Sequence, residues 1–190
     1  MTEDLSKAQV DDDFYDDEDE DAQKDKYLTF HLAKEDYAVE IKHVTEIIGI
    51  QRITEVPDMP DFVRGVINLR GKIIPVIDVR TRFKIEPRAY DDRTCIIVVN
   101  INEMAVGLVV DEVSEVANIP EDQVEPAPRT AGSQSGRYIQ GMGKMDDEVK
   151  IILDVGKLLY DEEMEKLKGT DAHDDSSMSS AKDTENPAPA

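Results

Sequence analysis

The chain has 190 residues with 22 Lys+Arg against 43 Asp+Glu, a formal net charge of −21. No cationic face is available to displace phosphate counterions or to hold an anionic membrane surface, so neither nucleic acid nor a lipid surface is expected as a partner. The longest clean apolar run, Cys95–Val99, has the length of a strand and not of a membrane span, and Glu3 and Asp4 stand where a secretory signal would be apolar.

The charge is unevenly placed. Residues 1–25 and 169–190 carry 3 basic and 17 acidic side chains, a net of −14, and residues 26–168 carry 19 and 26, a net of −7. The sequence therefore divides into an acidic leader (1–25), a central domain (26–168) long enough to bury a core, and a polar tail (169–190). A lone cysteine, Cys95, cannot form an internal disulfide, which fits a reducing, cytoplasmic setting.

In the leader, nine of the eleven positions from Asp11 to Asp21 are Asp or Glu, broken by Phe14 and Tyr15. Such a run repels itself and is expected to be disordered. A calcium loop is the sharper alternative, but the turn glycine and closing glutamate of an EF-hand are missing. The tail after Lys168, with its Ser176–Ser180 cluster and Asn186-Pro187-Ala188-Pro189, is also expected to be disordered.

Between them the pattern is mainly strand. Tyr27–Leu32 and Tyr37–Ile41 form a hairpin around the polar Lys34-Glu35-Asp36 turn. Ile41, Val44, Ile47 and Ile48 recur at helical spacing, which predicts a short amphipathic helix over Lys42–Ile48 stopped by Gly49. Pro57 and Pro60 mark an irregular connection. Val63–Val79 is two strands joined at Asn68–Gly71, with Gly71 supplying a positive φ, Asn68 bonding its own backbone and Arg70 reaching outward. Pro75 lacks a ladder donor and places its strand at an edge or a bulge. Arg93–Ile101 and Met104–Val116 are strands turned by Asn102-Glu103. Pro126–Arg137 is a loop, and Tyr138–Met145 and Glu148–Leu153 are strands. Asp154 is a candidate N-cap for a short helix carrying Val155, Leu158 and Leu159, and Asp161 starts another turn reaching Leu167. Many short strands with little helix argue for antiparallel barrels or sandwiches.

Catalytic residues are few. His31, His43 and His173 are scattered, and Cys95 lies in an apolar strand, where a packed thiol outweighs a nucleophile. Gly141-Met142-Gly143-Lys144 lacks Walker spacing and a following Ser/Thr. Asp78, Asp111 and Asp154 each close an apolar run. Converging, they could bind a metal for a hydrolase, whereas the simpler reading has them bonding backbone amides at strand ends. Neither cofactor nor metal is expected. For Arg70, a solvated turn residue stands against a donor fork offered to a partner's carboxylate.

Gly65-Val66-Ile67-Asn68-Leu69-Arg70-Gly71 followed by Ile74-Pro75-Val76-Ile77-Asp78 closely resembles the signature of the CheW family of bacterial chemotaxis coupling proteins. The resemblance continues through Val106–Val113, Gln123–Pro128 and Ile152–Leu159, and covers about residues 26–168. It implies two small five-stranded SH3-like barrels packed around a shared core with short helices, and no enzymatic activity. It also implies an adaptor role between the cytoplasmic tips of chemoreceptors and the regulatory domain of the histidine kinase CheA, at membrane-associated arrays but without membrane insertion. Carried over by motif, Val44, Glu46, Ile47, Gly65, Arg70, Ile96 and Val116 would face receptors, and Gly49 and Ile53 the kinase. For Val44 and Ile47 the core and the interface both stand open, and Gly65 has the alternative of satisfying a tight backbone. Cys95 and Ile96 replace the small branched residues expected there. A coupler serving a non-chemotaxis kinase would show the same residues, and a fused coupler–receiver such as CheV is excluded on length.

Overall fold

Strand alternation, with two sides to bury, sets the architecture. The computed structural model describes residues 22–128, 134–159 and Glu163. The acidic run Asp11–Asp21, the tail after Lys168, His173 and, apart from Glu163, the turn expected over Asp161–Leu167 lie outside the described residues, as does part of the loop expected over Pro126–Arg137. The strands are β1 (Lys26–Leu32), β2 (Glu35–Glu40), β3 (Val44–Gly49), β4 (Val63–Leu69), β5 (Lys72–Asp78), β6 (Cys95–Ile101), β7 (Met104–Val110), β8 (Glu112–Asn118), β9 (Val124–Glu125), β10 (Ile139–Met145) and β11 (Glu148–Leu153). A one-turn helix, α1 (Val79–Arg82), follows β5, and 3-10 turns cover Ile41–His43, Glu121–Gln123, Gln134–Arg137 and Val155–Lys157.

These strands form two sheets. One runs β8-β1-β2-β11-β10-β9 and the other β3-β6-β7-β5-β4. Each is the expected five-stranded unit, the first with the two-residue β9 added. Both curl. β8 and β9 flank the six-stranded sheet, about 24 Å apart were it flat. The link between them, Ile119–Gln123, is partly 3-10 and reaches at most about 20 Å, so the sheet must bend round to meet itself. In the other unit Thr54 and Val66 exchange two backbone hydrogen bonds of 2.8 Å, which join the chain leaving β3 to the far edge strand β4.

Three apolar clusters follow from the alternation. Leu28, Phe30 and Leu32 of β1 and Tyr37 and Val39 of β2 meet Ile97, Val99 and Ile101 of β6 and Val106, Leu108 and Val110 of β7, forming one core between the units. The opposite faces fill the two interiors: Ile67, Ile74, Val76, Ile96, Val98 and Val109 in one, and Tyr27, Ala38, Ala117, Ile119 and Ile152 in the other. Full burial of one such large side chain is worth about 1.5–3 kcal/mol.

Several sequence expectations are corrected. The helix expected over Lys42–Ile48 is a 3-10 turn, Ile41–His43, followed by β3, which pairs antiparallel with β6. A register shift between Val44 and Glu46 breaks the alternation and produces the helix-like spacing of Ile41, Val44, Ile47 and Ile48. β5 is not an edge strand. Pro75 is tolerated because its β4 partner, Val66, directs its own N–H and C=O to Thr54, and pairing with β7 begins only at Val76. The strand expected over Met104–Val116 breaks at Asp111, where the chain leaves one sheet for the other. Asp154 makes no side-chain cap bond; the turn after it is 3-10, with Val155, Leu158 and Leu159 buried.

The two units repeat each other. Ile50 N–H donates to Thr94 O as Ile119 N–H donates to Asp25 O, a shift of 69 positions (50 to 119, 25 to 94). Asp78 N–H donates to Phe62 O as Asp154 N–H donates to Tyr138 O, both at 2.8 Å, a shift of 76 (78 to 154, 62 to 138). β2–β11 and β5–β7 are the two parallel pairings, and β4 and β10 share one burial pattern.

Asp111 secures one crossing between units. Its N–H donates to His31 O at 3.2 Å, its Oδ2 accepts from Ala33 N–H at 2.9 Å, and Arg80 donates from Nε and Nη2 to its two oxygens at 2.6 Å each. Burial pushes the Asp111 carboxyl up, but the Arg80 and Ala33 hydrogen bonds and the charges of Arg80 and Arg88 outweigh it, so it titrates below the usual aspartate range. The ion pair's contribution is complete above the unfolded pKa, about 3.9, and is lost as pH falls through the lower folded value. We expect Asp111→Asn to cost about 3 kcal/mol near neutral pH by stranding the Arg80 charge. In urea unfolding curves the gap to the parent should narrow below pH of about 4.

Candidate partner-binding surface

The signature turn Arg70-Gly71 is a two-residue hairpin loop with both residues at positive φ, +53° and +85°, and Gly71 N–H donates to Asn68 Oδ1 at 2.9 Å. Gly71 and Asn68 thus do what their residue types suggested. Arg70 is itself left-handed, as is Asn102-Glu103 in the β6–β7 turn, so the conformation belongs to the hairpin type. The Arg70 side chain is 76% exposed and donates from Nη1 and Nη2 to Glu46 Oε1 and Oε2 at 3.1 and 2.7 Å. Glu46 lies on β3 and Arg70 beside β4, the two outer strands of the five-stranded sheet, so this fork spans its seam.

The other residues expected at partners separate by burial. Ile47 is 44% exposed on β3, and Val116 is 53% exposed on β8. These positions are counterparts under the shift of 69, and both strands are sheet edges. Val44 is half-buried against the inter-unit core. Ile96 is fully buried opposite Ile48, so it supports the surface from beneath and touches no partner in this conformation. Gly65 sits at φ +136°, and an added Cβ would lie 2.0 Å from Thr54 O; its reason is the close backbone that joins the sheet edges. Gly49 is exposed with open space beside it, and Ile53 is half-buried against the smaller core. Cys95 is half-buried at the start of β6, with its thiol directed to Arg93 O at 3.2 Å.

The three acids weighed as a metal site are engaged separately. Asp78 Oδ1 accepts from Thr81 N–H and its Oδ2 from Tyr90 Oη at 2.7 Å. Burial, and then the hydrogen bond and charge of Asp78, raise the Tyr90 phenol above its ordinary pKa. Asp111 is held by Arg80, and Asp154 pairs with Lys157 at 2.8 Å. Among the described residues no group of three or more His, Cys, Asp or Glu is placed to hold a metal ion. For Asp78 the strand-end, amide-bonding reading is the one observed.

Comparison with known proteins decides the family. A CheW-like domain matches residues 26–163. The chain belongs to the CheW family. Chemotaxis protein CheW of Klebsiella aerogenes is 40% identical over 139 residues, covering 73% of this chain and 84% of that protein. CheW of Bacillus subtilis is 31% identical over 135 residues, covering 71% and 86%. The crystal structure of the scaffolding protein TtCheW from Thermoanaerobacter tengcongensis aligns with a TM-score of 0.68 at 39% identity, over 73% of this chain and 94% of that one. The chain is therefore a chemotaxis scaffold of the CheW type, and no described helix is long and apolar enough to cross a membrane.

Within this CheW-type fold, sequence reasoning missed Ile73 and Val149. They are exposed and are counterparts of each other under the shift of 76. Ile73 lies in an apolar run that looks buried throughout, and Val149 stands between Glu148 and Lys150, where alternation points it inward; the buried Lys150, held by Asp36 and Glu148, reverses that reading. Gly65 yields the sharpest prediction. Gly65→Ala meets both the positive φ and backbone at Thr54, and should destabilise by roughly 2–4 kcal/mol in thermal or urea unfolding, while Gly49→Ala, which meets open space, should leave stability nearly unchanged.

Proposed function

We propose that this CheW-family chain is a non-enzymatic adaptor that couples the cytoplasmic tips of chemoreceptors to the regulatory domain of the histidine kinase CheA. Its place in the cell is then the cytoplasmic face of receptor arrays. The observation that carries the reading is the exposed Arg70–Glu46 fork beside the exposed Ile47, on an open sheet edge of a chain in this family. A planar donor fork next to an apolar side chain supplies a directed polar anchor and a small desolvated contact, the combination that concentrates binding energy in few residues.

On this reading Val44, Glu46, Ile47, Arg70 and Val116 face the receptor, with Gly65 and Ile96 holding the backbone and the core beneath them. Gly49 and Ile53, at and beyond the end of β3, face the kinase. The boundary of the working module falls at residues 26–168, with leader and tail as additions to it. A coupler for a different chemosensory kinase shares this surface and is separated by which purified kinase and receptor fragments the protein retains. A metal-dependent hydrolase is not favoured, because Asp78, Asp111 and Asp154 are each engaged by separate partners.

The test is a pair of variants. Arg70→Glu leaves an exposed ion pair unmade, which costs at most about 1 kcal/mol of stability, and should weaken binding of receptor fragments at least tenfold. The charge swap Glu46→Arg with Arg70→Glu rebuilds the pair across the seam but moves the guanidinium to the wrong strand. Restored stability with binding still lost supports Arg70 as the group the partner reads. Full binding by either variant would overturn that role.

A further inference from the structure

The internal repeat exposes an inequality between the units. Each has one parallel pair of inner strands, β2 with β11 and β5 with β7, and the registers match: Ile152↔Ala38 in one corresponds to Val76↔Gly107 in the other. In the six-stranded unit this pairing runs on to Lys150↔Asp36, and Lys150 Nζ donates to both Asp36 Oδ2 and Glu148 Oε2. In the five-stranded unit it stops at Val76. The counterparts of Lys150 and Glu148 under the shift of 76 are Ile74 and Lys72 (150 to 74, 148 to 72), and that of Asp36 under the shift of 69 is Ala105 (36 to 105). Two apolar residues and a cation thus stand where the other unit has an ionic clasp.

Pro75 is the cause. Its β4 partner Val66 directs its own N–H and C=O to Thr54, so the two form a pair without hydrogen bonds and Pro75 turns its backbone toward β7. On that side a continued parallel ladder needs an N–H at position 75 for Ala105 O, and proline has none. Ala105 faces β5 because it stands opposite Asn100, one step beyond the Ile101↔Met104 pair that closes the two-residue turn. Beyond the break lies a cavity of about 570 Å3 whose walls include Ile73, Ile74, Met104 and Ala105, with Ile73 43% exposed. Lys72 and Glu103 also line it, one at the start of β5 and the other just before β7, and neither has an ion-pair partner among the described residues.

These features fit an extended peptide. A ladder carbonyl without its N–H is completed by the main chain of a strand laid alongside, and an exposed aliphatic side chain next to it gives that strand a residue to cover. Lys72 and Glu103 have opposite signs and leave the cavity without net charge, which suits neither a free anion nor a metal cation. It matches a segment with a carboxylate towards one end and an amine towards the other. We propose that the open end of the β5–β7 pairing docks such a segment of a partner protein. One of its backbone N–H groups donates to Ala105 O, an aliphatic side chain covers Ile73, and the flanking carboxylate and amine meet Lys72 and Glu103. The site draws nothing from Arg70, whose fork is turned to Glu46 on β3 at the other flank of the β4–β5 hairpin, so it holds whether or not Arg70 reads a receptor.

The probe is a capped pentapeptide, Glu-Val-Thr-Val-Lys, titrated to millimolar concentration into isotope-labelled full-length protein and followed by amide NMR. We expect saturable shifts centred on the amides of Ile73, Ile74, Met104 and Ala105. N-methylation at the peptide residue that bonds Ala105, found by methylating each inner residue in turn, should weaken binding at least tenfold. Ile73→Asp, at an exposed position, should do the same with the melting temperature unchanged. Pro75→Ala should also weaken it, by returning the N–H that lets the ladder close as it does in the other unit. Amides that stay unmoved, or shifts centred on β3 and β8 instead, overturn the proposal. So does equal binding by every methylated peptide, or by the Pro75→Ala protein. Shifts at these amides that grow with protein concentration in the absence of peptide also overturn it, because the occupant is then a second copy of the chain.

Discussion

Six strands of this molecule must bury both of their faces, and that constraint organises the rest. In β1, β2, β5, β6, β7 and β11 one set of alternate residues enters the core between the units and the other fills a barrel interior. Polar residues are left few places on such strands, and the buried ones are bonded: Thr29 Oγ1 donates to Glu115 O at 3.0 Å, and Lys150 Nζ meets Asp36 and Glu148 at 2.5 and 2.7 Å. Burial alone would lower the Lys150 pKa, yet hydrogen bonds and charges from Asp36 and Glu148 raise it, so the ammonium stays charged. Exposed apolar and charged side chains are left to what remains, the edge strands and hairpin turns, which is where Ile47, Val116 and Arg70 lie.

Two packed barrels need a connection, and the chain makes it by crossing between them. It passes from the six-stranded unit through Ile41–His43 into β3, and returns at Asp111 into β8. The two crossings are counterparts but are built differently. One is a 3-10 turn, and the other is a single carboxylate gripped by Arg80. Arg82, two residues on, stacks between the Phe62 and Tyr138 rings, themselves a repeat pair, with centroid distances of 4.2 and 4.9 Å. The cationic end of α1 thus occupies the place where the two units come nearest to being equivalent.

What was legible in the sequence was local. Asn102-Glu103, Gly71 and Asn68 announced their turns because turn chemistry depends on neighbours, and Asp78 announced its cap for the same reason. What was not legible depended on residues distant in sequence. The helix spacing at Ile41–Ile48 was produced by a bulge against β6, the break at Asp111 by Arg80 and Ala33, and the need for Gly65 by Thr54. At the candidate surface, the outward Arg70 was evident from its turn and its pairing with Glu46, 24 residues away, was not. The repeat was hidden because its two copies share pattern more than identity, as Val44-Thr45-Glu46-Ile47-Ile48 beside Val113-Ser114-Glu115-Val116-Ala117 illustrates.

The interleaved topology also bears on how the molecule is made. β1 and β2 are synthesised first, but their sheet neighbours β8 and β11 are among the last strands; Asp36 and Lys150, which pair across β2 and β11, are 114 residues apart. At ordinary translation speeds the first hairpin waits roughly 10 s for its partners. Throughout that interval both edges and both apolar faces are open to other nascent chains. The five-stranded unit, by contrast, is drawn from one continuous stretch and can assemble while the ribosome is still at work. The connectivity thus makes every pairing of the inserted unit available before the six-stranded unit can be completed by β10 and β11.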